Sequence, residues 1–207
     1  MRFFARFAPA SMAILLLGAC SIFPKPEPQE TYRLPVTALP RADAQPVNWS
    51  LRVDTPQGGR MIDSARIVVL PQGDVVTVYR GARWSDPATT LIRNRLVDAF
   101  RDDGRVAAVS SDDSSIQADY ILTGDMRAFQ SEYQGDHPVV VIRFDARLIS
   151  NAGLRIIATH RFEITQPVNG SAVPQVVTAF GQASDALAAQ LVSWTLQQPA
   201  RNRQASN

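Results

Sequence analysis

VIRFDARLIS NAGLRIIATH RFEIT, residues 141–165, is the stretch from which the fold can be read. Ile142, Phe144, Ala146 and Leu148 alternate with Arg143, Asp145 and Arg147. After Asn151-Ala152-Gly153, a tight link, Ala158, His160, Phe162 and Ile164 alternate with Thr159, Arg161 and Glu163. A period of two with one apolar and one charged face predicts neighbouring antiparallel strands with one solvated side. Just upstream, Tyr120, Leu122, Gly124, Met126 and Ala128 share one face of a third strand, which completes a meander. Earlier strands are expected at Trp49–Val53, at Ala65–Leu70 (closed by Pro71) and at Val75–Tyr79, entered through the turn Gln72-Gly73-Asp74. Val106–Ser110 is another short strand, followed by a polar loop from Asp112 to Ser115.

Two segments change the period to that of a helix. Asp86 as N-cap and Pro87 at the first helical position open one of them. Leu91, Ile92, Leu96, Ala99 and Phe100 form its apolar stripe, and Gly104 closes it. Arg93, Arg95 and Arg101 are read on the opposite, outward face. The second helix runs from about Pro174 to Gln197, with Val176, Phe180, Ala183, Leu187, Leu191 and Trp194 on one stripe, Trp194 reading as core. Sheet face and helical stripes must bury one another. The expected architecture is a single α+β domain: a mixed, mostly antiparallel sheet with two main helices packed on one face.

The N-terminal residues read as an address. Arg2 and Arg6 precede a largely apolar run from Phe7 to Gly18, and Gly18-Ala19 lead to Cys20. The run is shorter than the ~20 residues that span a bilayer and reads as a secretory signal. Leu17-Gly18-Ala19-Cys20 resembles the bacterial lipobox, which implies cleavage before Cys20 and acylation of that residue. Several acyl chains anchor stably where one alone is marginal. Ser21, where an Asp causes retention at the inner membrane in many Gram-negative lipoproteins, favours the outer membrane, periplasmic face. Pro24, Pro26 and Pro28 make the next segment a semi-rigid spacer. The resulting division is 1–19 lipoprotein signal peptide, 20–31 lipidated Pro-rich tether, 32–198 folded domain and 199–207 disordered tail.

The chain has 207 residues, 21 Lys and Arg against 19 Asp and Glu, and one cysteine. Removing Arg2 and Arg6 with the signal leaves a formally neutral body. That argues against nucleic-acid binding, which needs clustered excess positive charge. A lone cysteine excludes a disulfide framework and a multi-cysteine metal site. His137 at a strand entry and His160 on an inward-reading face are expected to be structural. The adjacent acids Asp102-Asp103 and Asp112-Asp113 read as solvated surface with no base to work with. Gly58-Gly59 lacks the continuation of a phosphate loop, and Gly170-Ser171-Ala172 lacks the flanking glycine of a nucleophile elbow. Asn169-Gly170-Ser171 matches a glycosylation acceptor only incidentally. No catalytic residue, cofactor or metal is expected.

One order of motifs remains. Tyr32-Arg33-Leu34 follows soon after Cys20, and Asp63-Ser64-Ala65-Arg66-Ile67 precedes a strand. Tyr79 leads to Ala82-Arg83-Trp84 and then to the Pro87 helix, while Val177-Thr178-Ala179-Phe180 and Val192-Ser193-Trp194 mark the last one. From about residue 30 to 196 the chain resembles the ABC-type transport auxiliary lipoproteins, which include the paraquat-inducible outer-membrane lipoprotein. The resemblance implies a non-enzymatic outer-membrane subunit. It would dock a periplasmic protein with a mammalian-cell-entry domain, and an ATPase and a permease would complete a machine for lipids or other hydrophobic substrates. A homo-oligomeric ring around the partner fits that role. Tyr79, Arg83 and Trp84 are the candidate contacts, because aromatic and Arg side chains are frequent interface anchors. A structural alternative stays open: Trp84 packing the helix on the sheet, and Arg83 paired with an acid. Two other classes also stay open, a free-standing structural or assembly lipoprotein and a periplasmic lipid binder.

Overall fold

The computed structural model describes residues 28–205, with side chains to Ala200. The signal peptide, Cys20 and the tether up to Glu27 lie outside the described residues. The elements are β1 (Glu30–Tyr32), β2 (Leu51–Val53), β3 (Gln57–Gly58), β4 (Arg66–Gln72), β5 (Val75–Trp84), α1 (Ala88–Asp103), β6 (Val109–Ser111), β7 (Tyr120–Gln134), β8 (His137–Ser150), β9 (Arg155–Pro167) and α2 (Val173–Ala205). This is the expected α+β domain, with one sheet and two helices.

β7 is the spine. On one edge it pairs antiparallel with β8, which pairs antiparallel with β9, so the meander stands as read. The other edge of β7 takes three strands in succession, all parallel: β2 at Tyr120, β3 at Asp125 and β4 at Ser131. Beside β2 lies β6, parallel. Beside β4 lies β5, antiparallel across the turn where Gly73 takes a φ of 51°, and β1 closes that side, parallel to β5. Val106 makes only a single bridge, to Val47, so the strand expected from it begins at Val109. Pro71 does not end β4; the strand runs on to Gln72.

One face assignment changes. The register of β7 against β8 slips between Met126 and Ala128. A bulge of this kind inserts a residue and inverts the alternation beyond it. Ala128 therefore leaves the face of Leu122 and Met126 and joins Val139 and Val141 in a small separate cluster. Phe129 takes the core position instead.

Both helices cover the inner face. Trp84 of β5, Phe129 of β7 and Phe180 of α2 meet at its centre, with ring centroids 5.2 Å apart for Trp84–Phe180 and 4.7 Å for Phe129–Phe180. The stripe Val176, Phe180, Ala183, Leu187, Leu191 is buried, as its spacing implied. Trp194 packs edge-on to Phe162 at 5.9 Å against the core margin. α2 continues past Gln197 and through Pro199 to Ala205, so the segment read as a tail is helical in 199–205. Proline lacks the N–H that the helix would use there; beside it the side-chain amide Nε2 of Gln198 donates to the Trp194 carbonyl at 2.7 Å.

α1 starts one residue later than read. Pro87 occupies the N-cap without a side-chain cap bond, and Gly104 closes the helix at φ 76° with its N–H on the Phe100 carbonyl. The larger correction concerns its arginines. Arg93 and Arg95 are not on a solvated face; both are buried. Arg93 reaches Asp112 at 2.6 Å and Asp113 at 2.7 Å, and Arg95 reaches Asp185 of α2 at 2.6 Å. A long guanidinium stem lets a charged residue lie within a packed interface while its head finds a carboxylate.

Candidate functional site

The segment Tyr79–Trp84 forms the last six residues of β5, which ends at Trp84 just before α1 begins at Ala88. On β4 only Ile67 stands between the residues paired with Arg83 and Val78, so Tyr79 to Ala82 bow out opposite it. Gly81 makes the bow with a φ of 68°, a conformation that L side chains rarely adopt. The bow sorts the motif. Ala82 and Trp84 point into the core, while Arg80 and Arg83 are exposed. Tyr79 is half-buried and its hydroxyl donates to Ser131 at 3.2 Å; burial pushes its phenol above the ordinary value.

Trp84 is fully buried and makes no surface, so its role as a contact gives way to the structural alternative. It packs edge-on to Phe180 and supports the strand from behind. Its indole N–H has no partner among the described residues. Among the described residues Arg83 is not paired with an acid. Its Nε donates to the Trp84 carbonyl at 3.3 Å. Arg66 and Arg80, which the sequence reading did not single out, join it around an open groove of about 470 Å³ that also takes in Gln29, Ser64 and Tyr79. Among the described residues, no ion pair involves Arg66, Arg80 or Arg83. Arg80 sits inside the motif, but nothing local signals the bow that exposes it beside Arg66.

The outer face of the meander behaves differently. Arg147 meets Asp125 at 2.7 Å, Arg161 and Arg127 meet Asp145 at 2.5 and 3.0 Å, and Arg143 meets Glu163 at 2.8 Å. Every arginine there has a carboxylate, so the face is neutralised. Hydrogen bonding from Arg161, joined by Arg127, holds the Asp145 carboxyl down at about 2 against the effect of desolvation. A carboxyl with a depressed folded-state value adds stability above its unfolded value of about 3.9 and loses it as pH falls through the folded one. Wild type should therefore lose a contribution between about pH 4 and pH 2 that Asp145→Asn lacks. The arginines are largely exposed, so the difference should stay below about 1 kcal/mol. Thermal unfolding across that range checks it, and parallel profiles for the two proteins would contradict it.

The other marked residues are braces. Asp112 accepts the Thr55 N–H at 2.8 Å and the Arg93 guanidinium, and Asp102 accepts the Leu39 N–H at 3.1 Å. Burial alone would raise the Asp112 carboxyl, but the bonds from Thr55 and Arg93 outweigh it and hold it below its usual range. These acids are working parts of the fold, not merely solvated surface. His137 is exposed at the start of β8. His160 is exposed too, on the Phe162 side of β9, its ring 4.6 Å from Phe162 and stacked on Trp194 at 6.2 Å. Among the described residues no group of three or more His, Cys, Asp or Glu could hold a metal ion, and no helix is long and apolar enough to cross a membrane.

Residues 32–192 match the family model of the ABC-type transport auxiliary lipoprotein component. The chain belongs to this family. A crystal structure of a Xanthomonas campestris protein of family DUF330 superposes with a TM-score of 0.78 at 34% identity, covering 84% of this chain and 99% of that one. A second solved protein, uncharacterised, gives a TM-score of 0.64 at 15% identity over 82% of this chain, which supports the fold alone. An uncharacterised protein of Bradyrhizobium diazoefficiens is 27% identical over 153 residues, and the match takes in 41% of that relative's length. The matched region takes in β2 to β9 and α1 whole, the last residue of β1 and α2 as far as Val192.

Proposed function

We propose that this auxiliary lipoprotein is the outer-membrane subunit of an ABC-type system that moves lipids or other hydrophobic molecules between membranes. In this reading it docks the periplasmic, mammalian-cell-entry-domain protein of that system. The observation that carries the reading is the family match from residue 32 to 192. Cys20 within its lipobox and Ser21 after it support an outer-membrane anchor. Exposed Arg83 and half-buried Tyr79 supply the contact face, with Trp84 as its support from the core. Among the described residues the interior is filled by aromatic and aliphatic side chains and the groove described above lies open at the surface, which supports docking over lipid carriage by the domain itself. Chemistry, where the system performs any, belongs to the ATPase chain. A ring of copies around the partner's tip remains part of the proposal.

Two expected outcomes test it. Cys20→Ala should move the protein from the membrane pellet to the soluble periplasmic fraction; continued pelleting removes the lipid anchor. Tagged wild type, purified from native membranes, should bring down a mammalian-cell-entry-domain protein. Arg83→Glu should fold normally and reduce that recovery tenfold or more, since a reversed charge repels what the wild type attracts. Normal recovery by a folded variant removes Arg83 from the contact. Recovery of an unrelated envelope assembly from wild type would favour the free-standing lipoprotein.

A further inference from the structure

The outer edge of β5 is only partly used. β1 pairs with it from Ala82 to Trp84 and stops. Pro28 and Gln29 lie beside Gly81, but from Val75 to Arg80 no described strand lies on that edge, and at about 3.3 Å per residue it runs for roughly 17 Å. Val75 and Val76 along it are 60% and 50% exposed. An open edge of unpaired backbone groups is a template for another strand.

The chain's own tether is a poor occupant. Ser85 donates to the Tyr32 carbonyl at 2.8 Å, so Tyr32, and by alternation Glu30, turn their backbone groups toward β5. Continuing β1 backward would place Pro28, Pro26 and Pro24 in that same phase. Each lacks the N–H that the ladder needs. The missing N–H at Pro28 thus accounts for β1 beginning at Glu30.

The charge beside that edge says what would occupy it. Arg66, Arg80 and Arg83 line the groove at the Val78–Arg83 end of β5, which overlaps the open edge at Val78–Arg80, and no carboxylate is among its described lining residues. On the outer face of the meander, by contrast, Arg127, Arg143, Arg147 and Arg161 are each met by a carboxylate. A guanidinium is a planar fork that matches a carboxylate in bidentate fashion. We propose that the free edge of β5 takes an extended acidic segment of a partner protein as an added strand, with Arg66, Arg80 and Arg83 gripping its carboxylates. A lipid headgroup satisfies the arginines but cannot pair with a strand edge, whereas a peptide does both. The inference deepens the docking reading above and rests on it for the identity of the partner.

The test uses detergent-solubilised full-length protein and a short fluorescein-labelled peptide of alternating glutamate and valine, followed by anisotropy. Saturable binding is expected, weakened tenfold or more in the Arg66→Glu/Arg80→Glu variant. Both residues are exposed, so the variant's unfolding curve should match wild type. A lysine-for-glutamate peptide should not bind, and N-methylation at alternate residues should weaken the acidic peptide at least tenfold, which plain charge attraction would not. No saturable binding, or equal binding by the methylated peptide or the double variant, overturns the proposal. So does failure of the peptide together with capture of Cys20→Ala protein by anionic phospholipid vesicles, released by the same double substitution; the arginines would then serve a lipid surface. If the peptide binds as expected but no transporter subunit co-purifies from membranes, the site stands and the transport reading fails.

Discussion

Asp185→Ala should lower the stability of the domain by about 3–5 kcal/mol, a large share of the ~5–15 kcal/mol that holds a typical domain together. Arg95 on α1 has a side chain only 1% exposed, and its Nε sits 2.6 Å from the Asp185 carboxylate on α2. The same guanidinium donates to the Thr37 carbonyl at 2.9 Å, and Asp185 accepts the Thr37 N–H at 3.0 Å. Three segments distant in sequence are tied at one point: the strap after β1, α1 and α2. Removing the carboxylate leaves a guanidinium buried without a counter-charge. The reverse change is milder. Arg95→Met fills much of the volume with apolar atoms and leaves Asp185, 19% exposed, able to recover some water. The Arg95→Met/Asp185→Leu pair should cost less than Asp185→Ala alone, because replacing both partners of a buried pair is often near neutral. Urea unfolding of the three variants decides the matter. If Asp185→Ala costs under about 1 kcal/mol, the tie is not holding the segments.

Gly124→Ala should cost about 3 kcal/mol, the upper part of the range for overpacking a core. A Cβ there would stand 2.5 Å from the Asp145 carbonyl oxygen and 2.6 Å from Cζ of Phe144. Gly124 pairs with Ala146 across the β7–β8 ladder, so the strands cannot part without losing register on both sides. Its backbone angle is not the reason, since its φ is not positive; the reason is space alone. Phe144→Leu should therefore relieve the ring clash but not the clash with the carbonyl. The double variant should recover only part of the loss, with clear non-additivity between neighbours. Thermal melts of the two single variants and the double variant test this. A Gly124→Ala protein that melts with wild type would mean β8 yields at Asp145 without cost.

How much of this was legible beforehand follows from what each feature depends on. The β7–β9 meander, the 72–74 turn, the Gly104 cap and the stripe of α2 are written in local periodicity and turn chemistry, so the sequence alone determined them. Cys20 in its lipobox and the prolines at 24, 26 and 28 are likewise sequence statements. The parallel docking of β2, β3 and β4 on one edge of β7 was not legible, because long-range pairing leaves no local mark. Nor were the two slips that re-aim side chains. The bulge near Arg127 sends Ala128 to the other face, and the bow at Tyr79–Ala82 buries Trp84 while exposing Arg80 beside Arg66. Arg93 and Arg95 have the same composition signal as the exposed Arg101 on their helix; only the carboxylates brought by the 112–113 loop and by α2 decide that two are buried. Periodicity tells which face a residue shares with its neighbours in the chain. What lies opposite that face, and so whether a charge is buried, paired or left free to bind, is settled only when distant elements pack.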